Sequence, residues 1–153
     1  AYDRGGILCR VTDSTGAVSE YTYNSRGQRT VVRNNIREDV WQETGYTYSP
    51  CGNIIKVAVS ADENGCGRKY AFTTYTYDGN GNITGIQLPS GDEIHREYDL
   101  CDRITAEHYR EKNGSIDNRI TYHYDKNGNL TEVRYQDIPL RCAMITDIMK
   151  EDS

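Results

Sequence analysis

Few residues of this 153-residue chain could do chemistry, and they are scattered. His95, His108 and His123 could act as general bases or metal ligands. Cys9, Cys51, Cys66, Cys101 and Cys142 could pair, bind a metal or attack an electrophile. No serine or cysteine can be matched to a histidine from spacing, and a catalytic site needs mutual geometry. The cysteines show no C-x-x-C and no close metal spacing. An odd count suits free thiols better than a complete disulfide framework. Asp78-x-Asn80-x-Asn82 and Asp125-x-Asn127-x-Asn129 imitate the opening of a calcium loop. Such a loop needs Gly next and Glu at its twelfth position. Ile83 and Leu130 stand in the first place, and Pro89 and Gln136 in the second. The reading is a non-enzyme with no catalytic residue, no metal and no cofactor.

Aromatic rings are the one plausible binding feature. Trp41, Tyr70, Tyr109 and Tyr135 could stack on the faces of sugars as ligand-binding residues. The alternative is that they cover the sheet, since single apolar surface residues need no explanation.

The elements that would hold these residues follow from a repeat. Six runs begin with tyrosine: Tyr2-Asp3-Arg4-Gly5-Gly6, Tyr23-Asn24-Ser25-Arg26-Gly27, Tyr48-Ser49-Pro50-Cys51-Gly52, Tyr77-Asp78-Gly79-Asn80-Gly81, Tyr98-Asp99-Leu100-Cys101-Asp102 and Tyr124-Asp125-Lys126-Asn127-Gly128. They recur at intervals of 21 to 29 residues. A period of that size marks a repeat architecture.

Each unit reads as a β-hairpin. Tyr21/Tyr23, Tyr46/Tyr48, Tyr75/Tyr77 and Tyr122/Tyr124 form Tyr-x-Tyr pairs, which share one face of a strand. Asp, Asn or Ser follows the second Tyr and starts a turn through its own backbone. Three residues later comes Gly6, Gly27, Gly52, Gly81 or Gly128, where a type I turn with a G1 bulge needs φ > 0. Asp102 fills that place in the fifth unit, and Asp tolerates the left-handed region better than most residues.

Leu8, Ile54, Ile83, Ile104 and Leu130 lie two residues past this position and should face the second Tyr across the hairpin, with Arg29 as the exception. Val11, Val32, Val57, Ile86 and Val133 follow at an odd offset, with Glu107 as the exception. Either both faces are partly buried or a bulge resets the alternation. Asp13-Ser14-Thr15-Gly16, Leu88-Pro89-Ser90-Gly91, Asn64-Gly65 and Asn113-Gly114 mark return turns.

The fold class is all-β: an antiparallel meander of about a dozen short strands, curved or spiral, over residues 1–136. The tyrosine rings should line its concave side. Residues 137–153 form a tail. In it, Met144, Ile145, Ile148 and Met149 fall on one helical face, a possible amphipathic helix. Of the thirteen tyrosines, ten occupy repeat positions, so they are structural and the core is thin and amphipathic. Exposed edge strands, or the helix, could mediate self-association.

The net charge of −5 comes from interspersed signs. No basic stripe appears, which argues against nucleic acid as a partner. No apolar run approaches the ~18 residues of a membrane span. No signal peptide is visible. The start at Ala1, with a repeat beginning at once, points to a piece of a longer protein. The sequons Asn82-Ile83-Thr84 and Asn129-Leu130-Thr131 are by-products of the repeat.

The string Tyr-Asp-x-x-Gly-[Asn/Arg]-[Leu/Ile]-Thr resembles the YD repeat of RHS proteins. Tyr77-Asp78-Gly79-Asn80-Gly81-Asn82-Ile83-Thr84 and Tyr124-Asp125-Lys126-Asn127-Gly128-Asn129-Leu130-Thr131 carry it most closely. The resemblance covers residue 1 to about 135. It implies a strip of hairpins that coils into a hollow shell, non-enzymatic in itself. In bacterial polymorphic toxins the shell encloses a C-terminal toxic domain. Wall-associated relatives sit at the cell surface, and such repeats are linked to carbohydrate binding. The implied partners are the rest of the shell, its enclosed domain and a glycan. The implied location is secreted or at a bacterial cell surface. The family's self-cleavage module uses an Asp-Pro-x-Gly motif. This chain has no Asp-Pro, so the resemblance carries over no catalytic residue.

Overall fold

The computed structural model describes residues 1–37, 40–61, 69–114 and 116–139. Their regular structure is all β. The strands are β1 (Arg10–Thr12), β2 (Val18–Tyr23), β3 (Arg29–Arg37), β4 (Val40–Tyr48), β5 (Ile54–Ala61), β6 (Lys69–Tyr77), β7 (Ile83–Gln87), β8 (Glu93–Tyr98), β9 (Ile104–Arg110), β10 (Ile116–Tyr124) and β11 (Leu130–Pro139). They form one antiparallel meander in which sheet order equals chain order, with β1 and β11 at its two ends. Residues 137–139, placed above in the tail, belong to β11. Met144, Ile145, Ile148 and Met149 lie outside the described residues, as do Cys66, Cys142 and Asn64-Gly65.

The chain divides into two compact units, Ala1–Thr74 and Tyr75–Ser153. The first holds β1 to β5 and most of β6. The second holds the end of β6 and β7 to β11.

One loop geometry makes every repeat turn. In the fourth turn, the Asp78 amide donates to the Asn82 carbonyl at 3.0 Å and the Gly81 amide to the Asp78 carbonyl at 3.2 Å. The other five turns repeat both bonds, and so do the return loops that start at Asp13 and Leu88. The acidic or amide residue locks the turn. Asp78 Oδ1 accepts from the Asn80 and Asn82 amides, both at 2.9 Å. Residues at the glycine position have φ > 0 throughout, including Asp102 at 59°.

The pairing settles the odd offset in favour of a bulge. Tyr23 faces Arg29, Tyr48 faces Ile54, Tyr98 faces Ile104 and Tyr124 faces Leu130. One residue further along, the register skips Thr30, Ile55, Thr105 and Thr131 on the returning strand. Tyr21, Tyr46 and Tyr122 then meet Val32, Val57 and Val133. The skipped residue brings both apolar positions to the tyrosine side. Threonine suits this place: Thr131 Oγ1 donates to the His123 carbonyl at 3.0 Å, and Thr22 and Thr30 hydroxyls meet at 3.0 Å.

Enclosure is slight. Among the described residues, the near-fully buried hydrophobic and polar side chains are Ala106 and Ser60, each 1% exposed. Half-buried apolar contacts, ladder hydrogen bonds and the side chains that tie each hairpin to the next therefore act together.

Candidate functional site

The repeat tyrosines form a series of identical clasps. The hydroxyl of Tyr23 donates to the Leu8 carbonyl at 3.0 Å, and that of Tyr48 to the Arg29 carbonyl at 2.6 Å. In the second unit, Tyr98 donates to Ile83 at 2.8 Å and Tyr124 to Ile104 at 2.9 Å. Each acceptor is the residue two past the glycine position of an earlier hairpin. The phenol thus satisfies a carbonyl near the bulge of an earlier hairpin while its ring stands opposite its cross-strand partner, aliphatic for Tyr48, Tyr98 and Tyr124 and Arg29 for Tyr23. Tyr2, which opens the series, stays 70% exposed.

A second set of contacts joins the turns themselves. Arg26 Nη1 donates to the Pro50 carbonyl at 2.7 Å, and Gln28 Nε2 to the Gly52 carbonyl at 3.3 Å. Asn80 and Asn82 occupy the same two places in the fourth turn. Their Nδ2 groups donate to Asp102 Oδ1 at 3.0 and 2.7 Å. Asp102 is therefore a clasp between turns as well as a substitute for glycine. Arg103 lies over the Tyr124 ring at 4.5 Å and also binds Asp99 at 2.7 Å.

The two exceptions to the apolar pattern find partners of their own. The Arg29 guanidinium lies 4.6 Å from the centroid of Tyr21 and 6.0 Å from that of Tyr23, a cation–π arrangement in the place of an aliphatic contact. Glu107 accepts from Arg96 Nε at 2.7 Å. That bond raises the Arg96 pKa further above its ordinary value, against the opposing effect of burial. The sequence marked Glu107 as an exception but gave no signal for Arg96.

The opposite faces carry charge. In the first unit, Arg10, Glu20, Arg33 and Glu43 form a row across four strands, with N–O distances of 3.9, 3.4 and 3.6 Å. In the second, His95 faces His108 across β8 and β9, and His108 faces Arg119 across β9 and β10. His95 sits 3.3 Å from Glu93, and His108 and Arg119 each sit 3.7 Å from Glu97. His123 also points away from the tyrosines that flank it. Among the described residues, no group of three or more His, Cys, Asp or Glu side chains could hold a metal ion. Cys9, Cys51 and Cys101 are free thiols.

The four candidate ligand-binding aromatics do not converge. In the first unit, Trp41 and Tyr70 lie on the face away from the repeat tyrosines. Arg33 covers Trp41 at 5.1 Å, and Tyr70 stacks on Phe72 at 6.1 Å and 16°. In the second unit, Tyr109 and Tyr135 lie on the tyrosine face. The Tyr109 hydroxyl donates to Asp92 at 3.2 Å, while Tyr135 is 75% exposed. Trp41 lies within β4.

Asp78, Asp99 and Asp125 hold their protons weakly. Hydrogen bonds lower Asp78 below its ordinary value, led by the Asn82 amide; the Asn129 side chain leads at Asp125, and the Arg103 side chain at Asp99. A lowered folded-state pKa contributes stability above the unfolded value of 3.8, lost as pH falls through the folded value. Stability should therefore decline below about pH 4. The D78N variant should flatten that decline in an acid titration of the denaturation midpoint. Turn two already carries Asn24 and should contribute nothing to it.

No helix among the described residues is long and apolar enough to cross a membrane. The family model for the RHS repeat matches residues 77–116. The chain is 24% identical to the toxin subunit YenC1 of Yersinia entomophaga, over 96% of this chain and 16% of that protein. It is 31% identical to the tRNA3(Ser)-specific nuclease WapA of Bacillus spizizenii, over 95% of this chain and 6% of that protein. The chain therefore spans well under a quarter of either relative. Its fold is similar to part of the TcdB2-TccC3 crystal structure without the hypervariable C-terminal region, with a TM-score of 0.53 at 18% identity, covering 90% of this chain and 9% of that one. The same assembly with Cdc42 gives a TM-score of 0.51 at 18% identity, covering 90% of this chain and 9% of that one. Six tyrosine-led turns of one geometry run along the chain, and the fourth and fifth of them lie in the segment, residues 77–116, that matches the RHS repeat.

Proposed function

We propose that this chain is a non-enzymatic wall segment of a secreted or surface-displayed shell that encloses or presents a C-terminal, toxin-like domain. The observation that carries this reading is the use of the repeat tyrosines. Tyr23, Tyr48, Tyr98 and Tyr124 each commit a hydroxyl to the backbone of an earlier hairpin. Side chains at the turns likewise reach the next turn. These residues extend a sheet, hairpin by hairpin. The partners are further repeats, which would pair with the edges at β1 and β11, and the enclosed domain.

Limited proteolysis of the product of the whole reading frame tests this. A C-terminal domain should resist protease while the wall is intact and become sensitive when Tyr98→Ala loosens it. A frame that encodes no further repeats and no C-terminal domain overturns the reading.

The second reading is a carbohydrate-binding or adhesion module. Its support is the exposed pair Tyr70 and Phe72, at 41% and 44% exposure, with Lys56 Nζ 3.9 Å from the Phe72 centroid. Saturable quenching of Trp41 fluorescence by cell-wall glycans, lost in Tyr70→Ala, would favour it over the shell.

A further inference from the structure

We propose that Asn127, ahead of Gly128, is a site of spontaneous deamidation, and that Asn80, ahead of Gly81, is a matched site held shut by Asp102. The two asparagines occupy the same place in turns of one geometry. The Gly81 amide donates to the Asp78 carbonyl at 3.2 Å, and the Gly128 amide to the Asp125 carbonyl at 3.0 Å. Gly81 and Gly128 have φ of 94° and 87°. Asn80 and Asn127 are both exposed to solvent. Backbone constraint and access to water are therefore shared, and glycine offers no Cβ to hinder attack at either site.

The side chains differ. The Asn80 Nδ2 donates to Asp102 Oδ1 at 3.0 Å. A carboxylate accepts only, so this contact fixes which end of the amide faces the fifth turn. The backbone amides behave alike, Asn80 donating to Asp78 Oδ1 at 2.9 Å and Asn127 to Asp125 Oδ1 at 2.8 Å, but the Asn127 side-chain amide has no counterpart of the Asp102 contact among the described residues.

The reaction needs only water. The Gly128 nitrogen attacks Asn127 Cγ, so an N–Cγ bond forms. The Cγ–Nδ2 bond breaks, and Nδ2 leaves as ammonia with the proton from the Gly128 amide. Water then opens the succinimide at either carbonyl, giving aspartate or isoaspartate. At Asn80 the same step must first break the bond to Asp102. Its developing oxyanion and its carboxylate product would then stand beside the Asp102 carboxylate, a like-charge contact that disfavours both. Asn113-Gly114 lies in a return loop and is not a matched comparison.

Peptide mapping by mass spectrometry during incubation of the folded chain at mildly alkaline pH tests the proposal. Asn127 should deamidate roughly fivefold faster than Asn80, the factor that about 1 kcal/mol of hydrogen bonding supplies. Asp102→Gly restores the residue that this position holds in the other turns. It should raise the Asn80 rate to that of Asn127 and leave Asn127 unchanged. In urea the two rates should become equal. Equal rates in the folded chain, or an Asn80 rate that does not respond to Asp102→Gly, would overturn the proposal.

Discussion

Tyr98→Ala should destabilise the chain by about 2–4 kcal/mol, the range for losing a large side chain from a packed site. Two losses combine. The ring pairs with Ile104 across the hairpin, and the hydroxyl donates to the Ile83 carbonyl at 2.8 Å. Tyr98→Phe separates them. It keeps the ring and removes only the hydrogen bond, at a cost of about 1 kcal/mol. Tyr2→Ala is the control, because that ring is 70% exposed and its removal should change stability by less than about 0.5 kcal/mol. Urea denaturation of the three variants checks the order. Equal effects at Tyr2 and Tyr98 would mean that the clasp between hairpins contributes nothing and that the tyrosines act only as local strand formers.

The turns were legible in the sequence because their chemistry is local. An Asp, Asn or Ser at one place and a glycine three residues later suffice to specify the loop, and each lies within reach of the other's backbone. The clasps were not legible. Asn80 and Asp102 are 22 positions apart, and nothing in either turn says that hairpins stack closely enough for the two to touch. The bulge lay between these cases. The odd offset between Ile104 and Glu107 left two explanations, and only the strand register chooses between them. A signal was present in the recurrent threonine at Thr30, Thr105 and Thr131, the residue that each register skips. Trp41 falls between the second and third Tyr-led motifs, so the motif alone does not position it. Strands of nine residues carry β3 and β4 beyond the motif and draw Trp41 into the sheet, under Arg33.

Gly81→Asp should cost about 1–3 kcal/mol, although Asp already stands at the equivalent place in the fifth turn. The difference lies in the backbone. Asp102 has φ 59°, near the centre of the left-handed region at about +57° that Asp tolerates. Gly81 has φ 94°, well to its side, where a residue with a Cβ is strained. No heavy atom lies within 4 Å of a Cβ built at Gly81, so the cost is conformational and not a clash. The reverse change, Asp102→Gly, should shift stability by less than about 1 kcal/mol, because relief of backbone strain offsets the hydrogen bonds lost from Asn80 and Asn82. Denaturation midpoints of the two variants decide the point. If Gly81→Asp were as mild as Asp102→Gly, the fourth turn would be free to relax to the geometry of the fifth. The glycine of this repeat would then be a preference of composition and not a requirement of the turn.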